Sequence, residues 1–328
     1  KRSRETIYVV PFKNKGGSDA WRVSGMFGGK QIRANYKTEE EALAKKDGYH
    51  VIVLTSTVLP GATRHGLLPV LEATSGKKCG KDFGLCYSPE FIALGSVIRD
   101  FLNPDFYLVG EFDERSGAVL EEVNRKICVK EPVVHRMSIE NAEIAKIALN
   151  SYVTMKISFA NTLADLCERI PGGDVDVVSD AIGSDTRIGR KYLTGGLGFG
   201  GPCFPRDNVA LGFLSEHVGA DGSLLVANHD YNKSMATRIT TKIAPLLQVG
   251  QTAAVLGLSY KPLSHVVEES QGVALALAMA EAGMRVIGYD PLASDGARGA
   301  LRDKALVAES IDAALVDAAL VVVTTPDE

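Results

Sequence analysis

The run His50–Ser56, HVIVLTS, is apolar without alternation through its interior and rich in β-formers. A strand with that pattern must be covered on both faces, so it belongs inside a parallel sheet flanked by helices. Thr57–Thr63, TVLPGAT, follows at its carboxyl end, where open α/β sheets place their ligands. The spacing then predicts a helix over Arg64–Ser75 and a strand over Phe83–Tyr87 that leads into Ser88-Pro89-Glu90-Phe91. A strand over Phe106–Gly110, a helix over Glu114–Cys128 and a short strand over Pro132–His135 follow. The longest helical pattern runs from about Ser138 to Cys167. Beyond it come a short helix and turn over Asp174–Asp185 and amphipathic helices over Asn208–His217 and Ser223–Leu247. Ala253–Gly257 begins a second α/β unit with Gly257-Leu258-Ser259-Tyr260-Lys261, a helix over Gly272–Ala282 and a strand over Arg285–Asp290.

The chemistry concentrates in Gly195–Asp207, GGLGFGGPCFPRD. Glycine lets a backbone reach unusual dihedrals and lie close to a ligand. Pro202 and Pro205 fix φ on either side of Cys203 and hold its thiol in one place. Asp207 follows four residues later, near enough to orient a water or take a proton. A lone cysteine is more often a small core residue, so the glycine–proline frame is what marks this one. On the long helix, Lys146 and Asn150 are four apart and share one face, with Lys156 and Asn161 further along. A cation and an amide donor together can hold a developing oxyanion.

The first 46 residues have another character. They hold 11 Lys/Arg against 5 Asp/Glu, a balance of +6 that leaves −10 on the remainder of a chain whose net charge is −4. Ile7–Pro11, Trp21–Gly25 and Gln31–Tyr36 read as strands, with a turn at Phe27-Gly28-Gly29-Lys30 and a helix over Glu39–Lys46 capped by Thr38. This ββ-β-α pattern resembles the N-terminal arm-binding domain of tyrosine recombinases, which implies a DNA contact through residues 1–46.

The remainder, from Gly48 onward, resembles the UDP-glucose/GDP-mannose dehydrogenase family. The segments that carry the resemblance are STVLPGAT, YSPEF, DFLNPDFYLVG, NAEIAKIALNSYVTMKISFANTLADLCE, the cysteine loop and GLSYK. The resemblance implies an α/β protein in four parts. Residues 1–47 form the basic segment and 48–136 a partial Rossmann-like NAD domain. Residues 137–248 form a central long-helix dimerisation domain with the cysteine loop, and 249–328 a Rossmann-like nucleotide-sugar domain.

It further implies NAD as cofactor and a four-electron oxidation at C6 of a UDP-hexose to the uronate. Cys203 attacks the intermediate aldehyde, and the resulting thioester is hydrolysed. Lys146 and Asn150 stabilise the oxyanion, Asp207 or a water it holds near Thr57 takes the proton, and Glu90 assists hydrolysis. Thr57, Glu90 and Cys203 meet the cofactor. Phe199, Gly200, Lys191, Arg187, Lys261 and Tyr260 hold the substrate. The long helix is the implied core of a homodimer.

Three departures from the family pattern stand out. No G-x-G-x-x-G precedes His50, so the half of the dinucleotide domain that opens the family's proteins is expected to be missing. Leu94 stands where many members carry a second glutamate after P-E-F, and SHVVEES (Ser264–Ser270) replaces T-D-D-x-R-E-S. The chain begins Lys1-Arg2 without Met and ends near Val321–Pro326, so it reads as a piece of a longer frame that stops in mid-domain. Two other functions are therefore open: a redox-dead nucleotide-sugar-binding remnant, and a DNA-binding recombinase-arm fusion. Five dispersed cysteines and no C-x-x-C pair argue against a disulfide framework or a metal site and for a reducing, cytoplasmic setting. No run of about twenty apolar residues suggests a membrane span.

Overall fold

The computed structural model describes residues 6–13, 19–27, 30–36, 43, 47–92 and 95–325; side chains are described for 43, 47–92 and 95–325. The chain forms two compact units, Lys1–Lys146 and Ile147–Glu328.

In the first unit β1 (Thr6–Lys13), β2 (Asp19–Phe27) and β3 (Lys30–Tyr36) form an antiparallel meander, with Val9 opposite Val23 and Val23 opposite Ala34. Each strand includes the run expected from sequence. Of the helix expected over Glu39–Lys46, only Leu43 is described, and it is helical and buried. The rest of that helix, the Gly28-Gly29 turn, Leu94 and Pro326 lie outside the described residues.

A second sheet runs β4 (His50–Leu54), β5 (Phe83–Tyr87), β6 (Phe106–Glu111), β7 (Val133–Ser138) in that order. Its helices are α1 (Leu68–Ser75), α2 (Val97–Leu102) and α3 (Glu114–Ile127). Two features differ from expectation. The HVIVL strand is half-buried throughout, because among the described residues β4 has a neighbour on one side only; the fully buried strand is β5. The sheet is also mixed: β4–β5 and β6–β7 are parallel, but β6 meets β5 antiparallel at Cys86–Glu111 and Tyr87–Gly110. Among the described residues the β5–β6 connection carries the six-residue α2.

The helix expected from Arg64 starts as a π-helical turn over Ala62–Leu67 before α1. Pro69 has no N–H to give the carbonyl of His65, and the widened turn absorbs that loss. Asp113 caps α3 reciprocally with Ser116. Leu71, Phe83, Leu85 and Tyr87 form the core of this unit, with Leu43 packed among them.

One helix, α4 (Ile139–Cys167), is 29 residues long, as the pattern predicts. After it come α5 (Val175–Gly183), α6 (Phe204–His217) and α7 (Ser223–Ile243). The second unit closes with β8 (Thr252–Leu256), α8 (Gln271–Glu281), β9 (Arg285–Tyr289), α9 (Ser294–Leu301), β10 (Leu306–Val307), α10 (Ile311–Leu315) and β11 (Ala318–Val323). Their order is β10-β9-β8-β11, all parallel, which is a Rossmann-like doubly wound sheet with its switch point between β8 and β11. Leu258, Leu275, Met279 and Leu301 are fully buried in its core, each contributing on the order of 1.5–3 kcal/mol. No helix among the described residues is long and apolar enough to cross a membrane.

Asp290, at the carboxyl end of β9, is buried and accepts four backbone N–H groups, from Leu258, Ser259, Leu292 and Ala293. Burial alone would raise its carboxyl, but these four donors outweigh it and hold it below the usual aspartate value. A depressed carboxyl stabilises the fold above its unfolded value and loses that contribution as pH falls through the folded one. The urea midpoint is therefore expected to drop on acidification below about pH 4. Asp290→Asn should flatten part of that drop, and an unchanged profile would remove Asp290 as its source.

Candidate functional site

In the second unit, Cys203 is the exposed N-cap residue of α6, whose first turn is Phe204-Pro205-Arg206-Asp207. The helix therefore starts four residues earlier than expected. Pro205 does not delay it, because a first-turn N–H has no helical partner to lose. Asp207 is 1% exposed. Its Oδ2 accepts Asn150 Nδ2–H at 2.6 Å, and its Oδ1 accepts Arg206 Nε–H at 2.9 Å. Asn150 and Asp207, selected separately in the sequence, are thus direct partners. Burial opposes the Arg206 charge, but the hydrogen bond to Asp207 and the neighbouring charges of Asp207, Cys203 and Glu268 raise it above its usual value.

The glycine loop is held by side-chain amides. Asn161 accepts from Gly196 N–H at 2.8 Å and donates to Leu197 O at 3.0 Å. Asn232 accepts from Phe199 N–H at 2.8 Å and donates to Phe199 O at 2.9 Å, and Gln271 also donates to that oxygen. Phe199 is buried. A Cβ on Gly200 would stand 2.2 Å from Glu269 O. One on Gly201, which has φ +80°, would stand 2.4 Å from Tyr260 Cδ2. These glycines serve close packing against the protein's own SHVVEES and GLSYK segments.

Burial, then the charge of Cys203, push the Tyr260 hydroxyl above its usual value, and Lys261 Nζ lies 5.7 Å from the Tyr260 ring centroid. Beside the loop is a cavity of about 270 Å³ lined in part by Gly201, Pro205, Arg206, His229, Lys233 and Glu268. Lys156 donates to the carbonyls of Ile188 and Gly189, and so anchors the segment with Arg187 and Lys191. Arg187 is exposed and paired with Asp185 at 2.6 Å; Lys191 is exposed beside Tyr192, whose φ is +66°.

Thr57, Glu90 and Lys146 belong to the first unit. Thr57 is half-buried and Glu90 exposed, each in the loop after one of the adjacent parallel strands β4 and β5. Lys146 Nζ donates to Glu90 O at 2.8 Å and stands 4.3 Å from the Phe91 ring centroid. The Thr57 hydroxyl can donate and accept and the Glu90 carboxylate accepts, and both stand at carboxyl ends of strands, the edge where open α/β sheets place ligands.

Three sequence models match in chain order. They are described as the UDP-glucose/GDP-mannose dehydrogenase family's NAD binding domain over residues 30–128, central domain over 140–234 and UDP binding domain over 254–328. The UDP-glucose 6-dehydrogenase of Rhizobium meliloti is 32% identical over 299 residues, 89% of this chain and 67% of that protein. The chain belongs to the UDP-glucose/GDP-mannose dehydrogenase family. The UDP-glucose 6-dehydrogenase AglM of Haloferax volcanii is 36% identical over 285 residues, 86% of this chain and 66% of that protein. The structure of a UDP-glucose dehydrogenase from the hyperthermophilic archaeon Pyrobaculum islandicum matches at 34% identity with a TM-score of 0.79, covering 87% of this chain and 65% of that one. The chain thus spans about two thirds of the length of these relatives. The NAD-binding match includes residues 30–46. It gives no support to a recombinase arm there, nor to a missing NAD-binding half.

Sequence reasoning missed Asn232 and Glu143. Asn232 carried no local signal. Glu143 stands three residues before Lys146 on the same helix face, a spacing that could have flagged it.

Exposure separates Cys203 from the buried and half-buried thiols Cys86 and Cys79. Burial pushes Cys86 up to about 12 and Cys79 up to about 11, whereas Cys203 is exposed. Iodoacetamide at neutral pH is expected to label Cys203 first, and Cys86 only after unfolding. Peptide mass spectrometry checks the order; equal labelling of Cys86 and Cys203 in the folded protein would contradict it.

Proposed function

We propose that the protein is an NAD-dependent UDP-glucose 6-dehydrogenase, oxidising C6 of the sugar to the carboxylate in two two-electron steps. The observation that carries this reading is the exposed Cys203 at the N-terminus of α6, close in sequence to the buried Asp207 that pairs with the buried Asn150 and the exposed Arg206. The matches to UDP-glucose 6-dehydrogenases support the substrate. NAD, when bound, accepts the hydrides, and Thr57 and Glu90 are the residues that would hold it.

Cys203 Sγ adds to the C6 aldehyde to form a thiohemiacetal, and after the second oxidation it is the group that water displaces from the thioester. The N–H groups that open α6 favour the negative charge developing there. Lys146 and Asn150 stabilise the oxyanion, Glu90 directs the hydrolytic water, and Asp207 orders Asn150 and takes a proton through a held water. Phe199, Gly200, Arg187, Lys191, Tyr260 and Lys261 form the UDP-sugar side. On α4, Tyr152, Phe159 and Leu166 are 63%, 54% and 50% exposed at seven-residue spacing. Such an apolar stripe suits a second copy of the chain, which supports the homodimer.

The test is NADH formation by the purified chain with NAD and UDP-glucose. Two NADH per UDP-glucose consumed is the expected stoichiometry. Saturable UDP-glucose binding without NADH would overturn the dehydrogenase reading.

A further inference from the structure

Glu143 lies on the second turn of α4 and is 0% exposed, and none of the roles above uses it. Its carboxylate accepts Gly61 N–H at 2.6 Å on Oε2 and Thr63 N–H at 2.9 Å on Oε1. Gly61 caps the π-helical turn and Thr63 lies in its first residues, so both are donors that a helix start leaves without an internal partner. Gly61 has φ +90°, a conformation that favours glycine. One turn earlier on α4, Glu140 pairs with Arg64 of the same loop. One turn later, Lys146 donates to Glu90 O. Positions 140, 143 and 146 therefore share a helix face. Two of them hold the loop after β4 that carries Thr57, and the third holds the loop after β5 that carries Glu90.

We propose that Glu143 is a positioning residue: its buried carboxylate clamps the Thr57–Thr63 loop and, with Lys146, sets Thr57 against Glu90 for the nicotinamide cofactor. The proposal rests on the reading that Thr57 and Glu90 face NAD. A buried carboxylate is costly unless its oxygens are satisfied, and both oxygens of Glu143 are used by one loop. Glutamine of the same volume can accept only one of the two N–H groups and turns an NH2 toward the other. The loop must then shift, and a displacement of about 1 Å at a reacting group costs up to ~10²-fold in rate.

The test compares the intact 328-residue chain with its Glu143→Gln variant. Amide exchange at Gly61 and Thr63 is expected to speed up at least about tenfold. NAD affinity by calorimetry should weaken, and kcat should fall about 10- to 100-fold. UDP-glucose affinity, which the second unit's residues provide, should stay within about twofold of wild type. A general loss of structure would instead lower UDP-glucose affinity and the unfolding midpoint together, and that result overturns the positioning role. Unchanged exchange at Gly61 and Thr63, or faster exchange with unaltered NAD affinity, overturns it as well. Failure of the dehydrogenase reading is visible in the wild type alone, as absent turnover, and the exchange and NAD-affinity comparison then decides the clamp. Wild-type protein that binds no NAD overturns both.

Discussion

Cys203→Ser is expected to cut NADH formation from UDP-glucose by at least about 10³-fold, with UDP-glucose binding and the urea midpoint unchanged. The separation of effects follows from the local structure. Cys203 is exposed, caps α6 without a side-chain hydrogen bond and fills no core position, so its replacement opens no cavity. Serine is among the best N-cap residues, and the helix should be no less stable. What is lost is a nucleophile: a serine hydroxyl needs an adjacent base to become reactive, whereas a thiol is the stronger nucleophile at neutral pH. Measurement of turnover and calorimetric UDP-glucose binding on the same samples decides the matter. Turnover within tenfold of wild type would remove Cys203 from the chemistry.

Asp207→Ala is expected to lower stability by about 2–3 kcal/mol as well as activity. Its carboxylate is 1% exposed and serves two donors. Removal leaves the buried Asn150 amide without that acceptor and the Arg206 guanidinium without its counter-charge. The Arg206 side chain is 56% exposed, so water replaces much of its ion pair, and most of the loss falls on Asn150. Asn150→Ala removes the same bond from the other side. The two substitutions together should cost about 1 kcal/mol less than their sum. Urea unfolding of the four proteins measures this coupling, and strict additivity would mean that the 2.6 Å contact contributes nothing.

The Cys203 and Asp207 outcomes test different kinds of inference. The cysteine could be selected from sequence because its signal is local: five glycines and two prolines within thirteen residues constrain a backbone wherever they occur. Asp207 could be selected only as a nearby acid, since its partner Asn150 is 57 residues away.

The same division runs through the whole chain. Most element types and boundaries up to β9 were determined by sequence alone, because apolar periodicity, caps and breakers act within a few residues; α4 matches its predicted span to one residue at its start, whereas α2, α9, β10, α10 and β11 have no counterpart in the sequence reading. Local pattern also marks Lys146, Asn150 and Cys203, whereas the GLSYK turn stands out only through the family resemblance. Tertiary structure alone decided three things. It made HVIVL a half-buried strand and FGLCY the buried one, because burial depends on neighbours in the sheet. It turned Asn161 and Asn232 into clamps on the glycine loop, because hydrogen bonds between distant residues leave no periodic trace. And it buried Glu143 against Gly61 and Thr63, since a glutamate on a helix reads as solvated until the loop it holds is brought to it from about 80 residues away.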